Sequence, residues 1–258
     1  MFPRLSARAH LPLPSHHTPE AIRARLAGGP DHNYVRDFVY GGIDGAVTAF
    51  AVAAGAVGAD LSGAIVVVLG LANLFADGLS MAASNYLGTR ADREIVAELR
   101  RIEGEQIDLI PDGEREEVRQ LYARKGFEGA DLERVVEVLT ANRERWIDTM
   151  LQEEHGVQLE GPDPLRAALA TFGAFLVIGA IPLLPFLVDQ AVDGRLPNAF
   201  MWSALLTGVA FVVVGAAKGV TLGGRVWRSG LETLAIGGVA AAVAWIIGYV
   251  LRGLVETV

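Results

Sequence analysis

One carboxylate, Asp44, interrupts the first apolar stretch of this 258-residue chain, and a second, Asp37, precedes it by seven residues, two helical turns. The next apolar stretch carries Asn73, Asp77 and Met81 at intervals of four, which puts an amide oxygen, a carboxylate and a thioether on one helical face. Polar and ionisable groups are expensive in hydrocarbon and mark function when they occur there. Carboxylate and amide oxygens hold any divalent cation, whereas a thioether adds little for Mg²⁺ or Ca²⁺ and suits softer transition metals. The chemistry on offer is therefore the brief holding of a divalent metal ion. A second set lies in the acidic middle of the chain, where Glu103 and Gln106, Glu114 and Glu117, and Met150 and Glu154 each pair on one helix face. Three such faces brought together make an oxygen cage with a thioether at its edge.

The same residues have plainer readings. A lone Met in a core is ordinary packing, Asp44 or Asp77 can serve an interhelical hydrogen bond, and glutamate pairs recur by chance in so acidic a stretch. The five histidines, His10, His16, His17, His32 and His155, lie in the N-terminal segment or at a helix end, where weak binding at most is expected. The chain has no HExxH, P-loop or GxSxG, and so no sign of hydrolysis, nucleotide binding or nucleophilic catalysis. It is read as a non-enzyme with no permanently bound cofactor. Cysteine is absent, which removes disulfides and thiolate metal sites.

The elements that position these residues follow from hydropathy and charge. A membrane-crossing helix needs about 20 mainly apolar residues. Five stretches qualify, near 38–59, 62–87, 165–188, 199–220 and 231–251, and the chain reads as an all-α, polytopic membrane protein with five transmembrane helices. Residues 1–35 read as a disordered tail, 36–90 as helices one and two, 91–163 as an acidic helical insert, and 164–258 as helices three to five. Residues 92–163 hold 20 of the 30 acidic and 10 of the 22 basic residues, a net of −10. Such a unit repels nucleic acid and anionic lipid and attracts cations.

Within the insert, the second span continues unbroken to Pro111, a second helix runs to Gly126, and a third runs from Asp131 to Gly156, making a three-helix bundle. Arginines gather in the tail (Arg4, Arg8, Arg23, Arg25, Arg36) and at the insert's ends (Arg90, Arg93, Arg100, Arg101, Arg166), while the first link carries only Asp60. By the positive-inside rule the N-terminus and insert are cytoplasmic and the C-terminus is outside. The third span carries Pro182 and Pro185, each inviting a kink. The lack of a leader points to a prokaryotic inner membrane.

The segments RDFVYGGIDGAVTAFAVAAGAVGA, LGLANLFADGLSMAASNYLGTRADRE, PDGEREEVRQLYARKGF and RERWIDTMLQEEHG resemble the vacuolar iron transporter family over residues 35 to 255. The resemblance implies a homodimer with the ion path between subunits, export of Fe²⁺ from the cytosol, and coupling to protons. It implies that some members carry Mn²⁺ or other divalent metals such as Zn²⁺. It makes Asp44 and Met81 the transport-path pair, Asp37 an entrance carboxylate, and Glu103, Glu114, Glu117, Met150 and Glu154 metal ligands. Gln106, Leu151 and Asn73 depart from that pattern. Two alternatives stay open: a Mn²⁺ exporter of the same fold, and a membrane-anchored metal-binding scaffold that transports nothing.

Overall fold

The computed structural model describes residues 18–27, 32–221 and 225–255, and among them every regular element is helical. The chain divides into two compact units, residues 1–86 with 163–258, and residues 87–162.

The tail read as disordered lies largely outside the described residues, but Pro19–Ala27 forms a helix, α1. Thr18 caps it, its hydroxyl accepting from the Ala21 amide, and Pro19 fits the first turn because no amide is needed there.

Five helices among the described residues are long and apolar enough to cross a membrane. The first is α2 (Val35–Gly58) and the second α3 (Gly63–Leu109). At 47 residues, α3 is more than twice the roughly 20 a bilayer requires, and Pro111 ends it. The third span is interrupted, as its prolines predict: α7 (Pro164–Gly179), a 3₁₀ turn (Ile181–Leu183) and α8 (Leu184–Ala191). The Pro182 carbonyl is met by the buried Ser203 hydroxyl, which donates at 2.6 Å. The last two spans are α9 (Ala199–Thr221) and α10 (Val226–Val255).

Helix α2 is the axis of the first unit and packs against α7, α9 and α10. Its buried residues are nearly all Gly or Ala, which lets neighbouring backbones close in where lipid supplies no hydrophobic drive between helices. A Cβ at Gly41 or Gly45 would run into the backbone of Thr171 or Phe175 on α7. Helix α3 joins this packing through Leu74 beside Ala49, Phe175 and Leu183, and through Val66 beside Ala53, Ala56 and Phe186.

The second unit holds the C-terminal part of α3 and three further helices, α4 (Pro111–Arg124), α5 (Gly129–Thr140) and α6 (Arg143–Glu153). The single helix expected from Asp131 to Gly156 is thus cut in two at Ala141–Asn142. Asn142 leaves the helical region (φ −129°, ψ 122°) and its side chain accepts from the Arg145 amide, capping a new helix start. A cap of this kind gives the backbone an alternative to continuing the helix. The unit's core is Ile107, Val118, Val136, Trp146, Ile147, Met150 and Leu151.

Candidate metal centre

In the second unit, three elements bring acidic side chains to one place. The C-terminal part of α3 supplies Glu103, α4 supplies Glu114 and Glu117, and the end of α6 supplies Glu154. Glu103 and Glu114 are 2% and 1% exposed, which is unusual for glutamate in any fold. One oxygen of each, Oε2, is buried without a hydrogen-bond partner. The Glu114 carboxyl is pushed up to about 7, first by desolvation, then by the charges of Glu117, Glu103 and Glu154, and by side-chain hydrogen bonding with Glu103. Glu154 is raised as well, by desolvation first and then by Glu117 and Glu103, with His155 opposing. Glu103 and Glu117, lying against Glu114 and Glu154, complete a site whose negative charge favours a cation.

The other predicted ligands stand differently. Gln106 is half-buried one turn beyond Glu103 on α3, and Glu117 is exposed. Met150 is fully buried in the apolar core of the unit, one turn before Glu154 on α6. The residue that spacing missed is His155. It follows α6, where the His155 amide donates to the Met150 carbonyl and Gly156 turns the chain at φ +66°. The imidazole Nε2 is 2.7 Å from Glu103 Oε1, and ligand atoms of Glu103, Glu154 and His155 all lie within 4.8 Å of one another. Its only sequence signal was adjacency to Glu154.

In the first unit, Asp44 is half-buried on α2. It lines a cavity of about 540 Å³ with Asn33, Tyr40 and Ile43, and with Arg36 and Lys218 as cationic neighbours. Asp77, exposed on α3, is close enough for the two carboxylates to repel. Asn73, one turn before it, keeps its buried amide nitrogen unpartnered. Met81 packs against the apolar cluster of Ala49, Leu74, Phe175 and Leu183. Asp37 is tied into a polar network that spacing did not show: Asn85 Nδ2 donates to Asp37 Oδ1 at 2.8 Å and to Thr171 Oγ at 2.7 Å. That network joins α2, α3 and α7 across 134 residues of sequence, which no local pattern reveals.

A family model for the VIT family matches residues 35–249, through both units. The chain belongs to the VIT family. Among VIT relatives, Vacuolar iron transporter 1 of Arabidopsis thaliana is 36% identical over 222 residues, covering 84% of this chain and 86% of that one. Vacuolar iron transporter 1 of Eucalyptus grandis is 35% identical over 214 residues, covering 82% and 84%. The vacuolar iron transporter of Toxoplasma gondii is 32% identical over 226 residues, covering 85% and 75%. The names of these VIT relatives are those of transporters, not enzymes. They give no support to the prokaryotic inner membrane expected from the sequence, since they are vacuolar by name.

Proposed function

We propose that this chain transports divalent metal, with Fe²⁺ as its ion, and exports it from the cytosol in exchange for protons along a path at a homodimer interface. The observation that carries the reading is Asp44, a carboxylate within a membrane-length helix, half-buried at a cavity and close enough to Asp77 for their like charges to repel. A membrane anchor has no use for that charge. A cation there is drawn by Asp44 and Asp77 against the positive charges of Arg36 and Lys218, and such limited holding favours release onward. The relatives named for iron transport support iron as the ion.

The second unit serves as a cytoplasmic collector. Its net charge of −10 raises the local cation concentration, and Glu103, Glu114, Glu117 and Glu154, with Gln106 and Met150 at the margin, take up the ion. Glu114 at about 7 must lose its proton before it can ligate, so uptake of metal releases protons. An ion pair between Asp60 and Arg252 puts the first link and the end of the last span on one side. An odd number of spans requires that arrangement.

The test is Fe²⁺ flux into proteoliposomes with an imposed pH gradient. The expected result is gradient-driven flux in the native chain and at least about a tenfold loss in Asp44→Ala. Undiminished flux in that variant sinks the path, and metal binding without any flux supports the scaffold reading. Competition by Mn²⁺ and Zn²⁺ separates the iron exporter from the manganese one.

A further inference from the structure

We propose that His155 is itself a ligand of the metal in the acidic cluster, a nitrogen donor that biases the site toward Zn²⁺, Fe²⁺ and Co²⁺ over Mg²⁺. This rests on the reading of the cluster as a metal site and adds to it a residue that neither the spacing of acids nor the family resemblance supplies.

Three observations carry it. The Nε2 atom of His155 is already 2.7 Å from Glu103 Oε1, and the donors of Glu103, Glu154 and His155 fall within one 4.8 Å set. Two or more donors about 2.1 Å from one ion sit roughly 3.0–4.2 Å apart, so these atoms need to move by only about 1 Å to share a cation. Next, Glu103 Oε2 and Glu114 Oε2 are buried and have no hydrogen-bond donor, although both residues are at most 2% exposed. A buried carboxylate oxygen without a partner is costly, and a bound cation is the usual resolution. Last, the ring is held at the cluster by backbone geometry. The turn at Gly156 (φ +66°) closes α6 and leaves His155 facing Glu103 from a different element.

Imidazole binds as the neutral ring, with the Nε2 lone pair on the metal and the proton on Nδ1. Hard Mg²⁺ prefers oxygen and keeps its waters, while Zn²⁺, Fe²⁺ and Co²⁺ gain from nitrogen. Carboxylate oxygens hold all of these ions, and one imidazole nitrogen sharpens the preference for the transition metals.

The rival role for His155 is that of a positioning residue that hydrogen-bonds Glu103 and never touches metal. The variant His155→Gln separates the two, because glutamine can keep a hydrogen bond to Glu103 but offers no imidazole nitrogen. The purified full-length chain in detergent is titrated with Zn²⁺ alone and with Mg²⁺ alone. Pulsed electron paramagnetic resonance of bound Mn²⁺ then looks for ¹⁴N coupling. The tail histidines remain in both proteins, so the difference isolates position 155. The expected result is a 10- to 100-fold rise in the Zn²⁺ dissociation constant in H155Q. The Mg²⁺ constant stays within about threefold, and the ¹⁴N modulation of the native chain is lost. Equal weakening for both ions, or ¹⁴N modulation that persists, overturns ligation by His155. A native chain that binds neither ion overturns the cluster reading as well, whereas Zn²⁺ binding lost in Glu114→Gln but kept in H155Q overturns the histidine alone. His155→Asn repeats the measurement if H155Q does not fold, as judged by hydrogen exchange over residues 87–162.

Discussion

Replacing Glu114 by Gln removes one charge from the buried cluster at almost constant shape, and the structure fixes both the sign and the size of the effect. The folded-state value of this carboxyl lies near 7, above the ordinary 4.5, because burial and the charges of Glu117, Glu103 and Glu154 disfavour ionisation. The folded chain therefore holds this proton more tightly than the unfolded chain does. The stability that follows is complete below about pH 4.5 and is lost as pH rises through about 7. Each pH unit of the shift corresponds to about 1.4 kcal/mol, and solvent at the exposed Glu117 side reduces the total to about 1–2 kcal/mol. Glutamine, neutral at every pH, does not suffer that loss.

Without metal at pH 8, E114Q should then protect the amides of residues 87–162 about 5- to 30-fold better than the native chain. At pH 5, where the native carboxyl is protonated, the two should match. Metal reverses the order. A ligand at 100 times its dissociation constant stabilises the native chain by about 2.7 kcal/mol, and the variant, short of one oxygen donor, gains much less. The assay is hydrogen exchange with mass spectrometry on the full chain at pH 5 and pH 8 (corrected for intrinsic exchange), with chelator and then with Zn²⁺. A variant that is less protected than the native chain at pH 8 in chelator would refute the argument that burial and repulsion set this group's proton affinity. Equal protection of both proteins by metal would refute its role as a ligand.

Two further outcomes follow from packing. Gly41→Val drives a side chain into the Thr171 backbone and should destabilise the first unit by about 1–3 kcal/mol or more, read as an earlier midpoint in a denaturing-detergent titration. Trp146→Ala empties a 4%-exposed position beneath the Arg115 guanidinium and should cost about 3–5 kcal/mol, read as accelerated exchange over residues 87–162 while the spanning helices keep their protection.

The spans were legible because their signal is local and additive. Twenty apolar residues in a row need no partner to be recognised, and Pro182 and Pro185, each lacking an amide to donate, invite a kink in the third span. The break at Asn142 was legible in principle, since Asn is a good cap. The apolar period from Leu132 to Met150 runs across it, however, and one side chain's hydrogen bond decided the matter. The interval of four that joined Met81 to Asp77 gave no warning that the thioether packs among Ala49, Leu74 and Phe175, because spacing assigns a helix face and not its neighbours.

Read alone, the amino-acid order determined which residues lie in lipid-length helices, where the negative charge collects, and which acids share a helix face. Each of these depends on near neighbours in sequence. Only the tertiary structure decided that Asn85 bonds both Asp37 and Thr171, that Glu103 and Glu114 are buried together, and that His155 meets Glu103 across 52 residues. Convergence of that kind is set by how helices pack and where turns release the chain. Both are properties of the whole fold, which no helical period encodes.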